Sequence, residues 1–324
     1  MFRSFRGCAL ALLLAVPVVA QAQADTWPSR PIRLVAPFPP GGTVDLLSRI
    51  FAPPLSQALG QQVIVENRGG AGGSIGTGAV AKAPPDGYTF VMVFDTHAVN
   101  PSFIPNMSFD TRNDLAPVML IATGAMVITA HSGQPYKAFG DLLAAARAKS
   151  GVPNYGTIGT GSLAHLAVTQ MGAQGGFKPT HVPYKGGGPL VQDAIAGHVP
   201  VAIGTVALLT PHIRSGVLVP LAVTTAERDK TLPDVPTVAE QGIPGFEATA
   251  WWGLLAPAKT PPAIVQRMNA EIVRLLGDPQ IRERLAGQGM DIVASSPEAF
   301  GTFLDQQMDK WAKVVREHGI RAGD

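Results

Sequence analysis

The chain has almost no cysteine. Cys8 is the only one among 324 residues, and it lies in a segment with the marks of an export signal. Arg3 and Arg6 give a basic start, Cys8 to Ala20 an apolar run, and Ala22-Gln23-Ala24 a small-x-small cleavage site. Cleavage after Ala24 is expected to leave 300 residues without a thiol. That excludes disulfides, thiol catalysis and cysteine metal sites from the mature protein. Cys8 precedes the apolar run instead of following it, which argues against a lipoprotein. No later stretch approaches the roughly 20 apolar residues of a membrane span, so the expectation is a soluble protein exported to the periplasm. An excess of charge is also lacking. Without Arg3 and Arg6, 23 Lys and Arg face 23 Asp and Glu, and neutrality disfavours nucleic acid or an anionic membrane as partner. The core alone must hold the fold, most naturally as two domains.

Signatures of metal and nucleotide chemistry are missing too. The histidines, at 97, 131, 165, 181, 198, 212 and 318, show neither H-x-H nor H-E-x-x-H spacing. No Walker A sequence occurs. Gly159-x-Gly161-x-x-Ala164 fits the dinucleotide pattern, but the acid wanted about 20 residues on has no candidate before Asp193. Gly72-Gly73-Ser74-Ile75-Gly76 fits G-x-S-x-G, yet Asn67 to Gly72 separate Ser74 from the preceding strand, whereas a nucleophile elbow runs straight from strand into serine. No cofactor, metal or catalytic residue is therefore expected.

The chain is rich in strand-to-helix loops of one character. Ile32–Ala36 reads as a short apolar strand running into Pro37-Phe38-Pro39-Pro40-Gly41-Gly42, with an amphipathic helix from about Thr43 to Leu59. The prolines stiffen this turn, and the glycines let it turn sharply with bare N–H groups. Unpaired amides and the helix dipole attract anions to such a start. Asp95-Thr96-His97, Gly156 to His165 and Val182 to Pro189 also follow strands, and the last two also enter helices. Helix capping alone explains any one of these loops. Four of them at the carboxyl ends of strands can instead line one cleft, with Thr43, Thr96, Ser162 and backbone amides as donors. Asp45 falls in a first helical turn, where a carboxylate steadies the dipole whatever the function. Lys185 stands beside glycines, solvated or paired with a ligand carboxylate. One of Trp251 and Trp252 is expected in the core and the other against the cleft.

The further strands expected are Val63–Glu66, Tyr88–Val93, Val118–Ala122, Val127–Ala130, Asn154–Tyr155, His181–Val182, Val199–Ile203, Leu218–Val223 and Ala248–Leu255, alternating with helices. Such alternation predicts an α/β fold around a parallel sheet covered on both faces. Pro53-Pro54 predicts a break or kink in the first helix near Ala52. Thr260-Pro261 and Ser296-Pro297 read as N-caps followed by proline.

Long blocks of the chain resemble a known family. WPSRPIRLVAPFPPGGTVD, VIVENRGGAGGSIG, AKAPPDGYTF, THAVNPSF, HVPYKGGGP, LPDVPTVAEQGIPGFEA and WWGLLAPAKTP together are similar to the Bug-type extracytoplasmic solute-binding proteins of tripartite tricarboxylate transporter systems. The resemblance implies a two-domain periplasmic binding fold of the type II, Venus-flytrap kind with two crossovers: domain one from 25–124 plus 248–324, domain two from 125–247. It implies a small carboxylate held between the domains by amides, hydroxyls and waters. The contacts it implies are Phe38, Gly41, Gly42, Thr43, Asp45, Thr96 and His97 on one side, and Gly159, Gly161, Ser162, His165, Lys185 and Gly186 on the other. The implied partners are the carboxylate and integral-membrane transporter subunits, with a sensing role where no carrier exists and the receptor a monomer. Many relatives carry an acid after the strand at Val199–Ile203, where this chain reads Gly204-Thr205-Val206-Ala207; a ligand without an amino group, with an apolar or aromatic body, is expected. The reading from another class is a secreted hydrolase or isomerase of a carboxylate, for which only Ser74 and Asp45 can be nominated. A third is an adhesive or structural envelope protein.

Overall fold

The computed structural model describes residues 27–148 and 153–321; the expected signal segment, 1–24, lies outside the described residues. The first half begins with β1 (Ile32–Ala36), α1 (Thr43–Leu59), β2 (Val63–Asn67), α2 (Ser74–Ala81), β3 (Thr89–Phe94) and α3 (Thr96–Phe103). A long strand, β4 (Leu115–His131), then leads to α4 (Phe139–Arg147), β5 (Tyr155–Thr157), α5 (Leu163–Gly175), β6 (His181–Pro183), α6 (Gly187–Ile195), β7 (Val201–Thr205), α7 (Val206–Arg214) and β8 (Leu218–Val223). The chain closes with β9 (Thr249–Pro257), α8 (Pro262–Leu276), α9 (Pro279–Ala286), β10 (Met290–Ile292) and α10 (Pro297–Glu317).

The strand order is β2-β1-β3-β9-β4-β7-β5-β6, with β8 and β10 also paired to β4. The expected parallel sheet holds only at the flanks. β2, β1 and β3 are mutually parallel, as are β6, β5 and β7, but β9 and β4 run antiparallel to their neighbours through the middle. The cause is that β9 returns from far along the chain and inserts beside β3. The two strands expected at Val118–Ala122 and Val127–Ala130 are one. Leu115 to Ala125 pairs with β9, and Met126 to His131 pairs with β7 and β8. β4 is thus shared by both halves of the sheet: β8 pairs with its later part and β9 with its earlier part.

The expected break near Ala52 does not occur: α1 is continuous through Pro53-Pro54 to Gly60, which ends it in the left-handed conformation. Pro53 lies on the exposed face, while Leu47, Ile50, Phe51, Leu55 and Leu59 are buried against the sheet. Their burial, worth roughly 1.5–3 kcal/mol each, outweighs two missing amide donors. At the C-terminal end Ser296 caps α10 by accepting from the Ala299 amide at 3.2 Å. Thr260 does not cap α8. The cap is Pro261, and the Thr260 hydroxyl instead donates to the Pro257 carbonyl at 2.7 Å.

Candidate functional site

The loop between β1 and α1 is held by Asp45. One carboxylate oxygen accepts from the Gly41 amide at 3.2 Å, and the other from Arg49 Nε and Asn67 Nδ2, both at 2.9 Å. Asn67 also donates to the Phe38 carbonyl at 3.1 Å. Gly41 takes φ +84° to present its amide this way, a conformation that favours glycine. Burial raises the Asp45 pKa, but the donors of Arg49, Asn67 and Gly41 outweigh it and hold the carboxyl below its ordinary range. Asp45 is an anchor for the loop and a poor proton acceptor. Asp45→Ala should lower stability by about 2 kcal/mol, since it strands the Gly41 and Asn67 donors. A depressed pKa contributes stability above the unfolded value, near 3.8, and loses it as pH falls through the folded one. Urea denaturation should therefore show the gap between wild type and variant closing in acid.

Between the halves of the sheet lies a cavity of about 30 Å³, room for a few water-sized groups. The N-terminal turns of five helices border it. α1 contributes Gly42, Thr43 and Val44; α3 its cap Asp95; α5 Ala164; α6 Gly187; and α7 its cap Thr205. Phe38, Phe94, Met126, Ile158, Ile203 and Leu208 complete an otherwise apolar wall. Gly42 and Gly186 cap α1 and α6 without a side-chain acceptor, whereas Ser162 and Thr205 accept from amides of their own helices. The first-turn amides of α1 and α6 are thus the ones a guest carboxylate can take. Thr43 Oγ1 accepts from the Trp252 indole at 3.2 Å, leaving its hydroxyl proton as the group's remaining donor. Trp252 rests on Phe94 with ring centroids 5.3 Å apart. It backs the cavity wall without lining it, and Trp251 faces the other way, against Phe300 and Phe303.

Outside this chamber is a cleft of about 700 Å³ that shares Phe38 and Ile158 with it. Gly70 to Gly73 form one side, and Gly159, Thr160, Tyr184 and Lys185 the other. Lys185 is the one charged side chain among the lining residues. The two loops also touch backbone to backbone: a Cβ on Gly187 would lie 3.3 Å from Gly42 Cα, and one on Gly186 3.0 Å from Pro39 Cδ.

The structure therefore brings together Phe38, Gly42 and Thr43 at the chamber, Gly159 and Lys185 at the cleft, and Gly41 and Gly186 in the loops between. The others sit apart from these linings. Thr96 donates to Asp95 Oδ1 at 3.2 Å. His97 stacks on Phe109, and burial lowers its pKa to about 4, so it is neutral. Ser162 caps α5, the Gly161 amide donates to His165 Nδ1 at 3.2 Å, and His165 stacks on His181 beside a different groove of about 730 Å³.

Asp95 is the residue that sequence reasoning missed. It is fully buried, lines the chamber, and its Oδ2 has no hydrogen-bond partner among the described residues. Its loop, Asp95-Thr96-His97, was among those expected at the cleft, but only Thr96 and His97 were named as contacts.

An α/β fold of this order, with amide-bearing loops from both halves around one chamber, is that of a periplasmic binding protein. The chain belongs to the tripartite tricarboxylate transporter family of receptors, whose family model matches residues 47–320. It is 36% identical to protein BugT of Bordetella pertussis over 306 residues, 94% of each chain. Rpa4515 of R. palustris, solved with adipate, is 35% identical with TM-score 0.88 and is matched over 91% of this chain and 99% of that one. MatC of Rhodopseudomonas palustris, solved with malate, is 29% identical with TM-score 0.84, over 89% and 100%. The family consists of solute-binding receptors, and the nominated acid of the enzymatic reading, Asp45, is engaged as a structural anchor.

Proposed function

We propose that the protein is a periplasmic receptor that captures a small organic carboxylate and presents it to the membrane subunits of a tripartite carrier. In this reading it works as a monomer after cleavage behind Ala24. Its lobes are 25–124 plus 248–324 and 125–247, and they hinge in β4 near Ala125 and before β9 at Ala248. The supporting observation is the chamber between them, where amides at the starts of α1 and α6 and the Thr43 hydroxyl face one small space. One carboxylate head fits there, and the body of the ligand extends into the outer cleft toward Lys185. The adipate and malate of the two related structures fit this division of a polar head and a short body. Fold and charge direct the anion, and no bond is made or broken.

Closure around the ligand links binding to stability. A carboxylate present at about 100 times its Kd should add about 2.7 kcal/mol and raise Tm by roughly 5 °C. A thermal-shift screen of mono-, di- and aromatic carboxylates, amino acids and amines tests this. A carboxylate-specific shift, abolished by Thr43→Ala, is the expected result. Hydrolysis or isomerisation of a screened compound, lost in Ser74→Ala, would replace this reading by the enzymatic one.

A further inference from the structure

The chamber contains an apparent contradiction: the uncapped starts of α1 and α6, suited to an anion, and a carboxyl group, Asp95, beside them. The contradiction disappears if Asp95 is not charged. The geometry points to Asp95 as a neutral acid that donates its Oδ2 proton to the ligand's carboxylate, so that the receptor binds its ligand together with one proton. This rests on the carboxylate-receptor reading and adds to it a specificity-determining residue and a pH dependence.

Three observations carry the inference. First, Oδ1 is already engaged by the Thr96 hydroxyl at 3.2 Å, while Oδ2 is buried and unpartnered on a residue that lines the chamber. A buried oxygen without a partner is costly, and a guest able to bond it relieves that cost. Second, no cation offers itself. The chamber's other lining residues, from the β1–α1 loop, β3, β4, β7 and helices α1, α5, α6 and α7, include none that titrates. The ionisable groups nearest along these elements are engaged or turned away. Asp45 is held by Arg49 and Asn67; His97 stacks on Phe109, its two ring nitrogens buried without a partner and the ring kept neutral by that burial; His165 bonds the Gly161 amide; Lys185 lines the outer cleft. On α10, which packs behind α3, Asp305 and Asp309 pair with Arg112 at the surface. Third, burial raises the Asp95 pKa well above the ordinary carboxyl value, and only the Thr96 hydroxyl and amide oppose it.

A neutral acid against a carboxylate forms a charge-assisted O–H···O⁻ bond, among the stronger hydrogen bonds in proteins. It accepts a carboxylate and gives an ammonium no counter-charge. This agrees in direction with the expectation, from Gly204-Thr205-Val206-Ala207, of a ligand without an amino group, although the chamber does hold an acid.

The test has two arms. Infrared difference spectra of ligand-free protein, wild type minus Asp95→Asn, should show a protonated-carboxyl band near neutral pH. Calorimetry with adipate, malate and a panel of short monocarboxylates should show wild-type affinity falling about tenfold per pH unit once pH exceeds the Asp95 pKa. Asp95→Asn, which keeps a donor and cannot ionise, should bind with a flat pH profile, and Asp95→Ala should bind weakly throughout. An absent band with pH-independent wild-type binding overturns this inference alone. Preference for amines, lost in Asp95→Asn, overturns it in favour of an ionised Asp95. Failure of every carboxylate at every pH overturns the receptor reading as well, and the infrared band tells that case from the others.

Discussion

Gly188→Ala should weaken ligand binding by about 5- to 150-fold while leaving the lobes as stable as before. Gly188 lies in the first turn of α6, and a Cβ added there would stand 2.9 Å from the Pro40 carbonyl oxygen. That oxygen is backbone, in a loop stiffened by three prolines and tied down by Asp45 and Asn67, so it yields little. Pro40 and Gly188 belong to different lobes in the proposed division, and the collision exists only when the lobes are together. Within α6 itself alanine is favourable, since glycine costs a helix up to about 1 kcal/mol relative to it. The substitution therefore separates closure from folding. Overpacking of this kind costs about 1–3 kcal/mol, and a penalty on the binding-competent state appears directly in the dissociation constant. Calorimetry with whichever carboxylate the thermal-shift screen yields, beside a melting curve without ligand, checks both halves. Unchanged affinity would mean that the bound state does not use this loop-to-loop contact.

The start of α1 was legible because its signal is local: a strand, stiff prolines, two glycines and a helix within eighteen residues. The same holds for β1, β8 and the Ser296 cap, whose patterns need no distant partner. What was illegible depends on residues far apart in sequence. β4 looked like two strands because Thr123-Gly124 reads as punctuation. Yet Gly124 is a strand residue whose small size admits the Gly289 carbonyl, 2.7 Å from where a Cβ would stand. The antiparallel centre of the sheet follows from β9, which arrives after the whole second half has been built. The bond from Trp252 to Thr43 spans 209 positions. Asp95 was not nominated because its complete burial depends on packing that the local sequence does not show. Only its burial among helix N-termini with no cation at hand makes a donor of it. Candidate site residues that cap or pack in the structure, such as Ser162 and His165, are of the same residue types as those at the chamber. Only their hydrogen-bond partners distinguish them.

The largest effect on stability should come from Gly253→Ala, about 3 kcal/mol. Gly253 is in β9, paired to β3 on one side and β4 on the other, so the strand cannot slide away. Its missing side chain faces α10, where a Cβ would lie 2.2 Å from Phe300 Cζ. Phe300 is fully buried and meets Trp251 edge to face, centroids 5.8 Å apart. The ring has no empty rotamer to enter, because interiors are close-packed, so α10 or the strand must shift. Overpacking costs about 1–3 kcal/mol in ordinary cores and more in rigid ones. Phe300→Leu alone should also destabilise, by leaving a void of a few methylene groups. Together the two changes should cost less than their sum, because the smaller side chain vacates the space the methyl needs. Urea denaturation of the four proteins gives that coupling directly, and additive costs would show that the two residues do not compete for the same volume. The consequence reaches the chamber through the preceding residue. Trp252, on the opposite face of β9, holds Thr43 at the start of α1, so a displaced strand should loosen ligand binding in Gly253→Ala. The Phe300→Leu background should restore it along with stability.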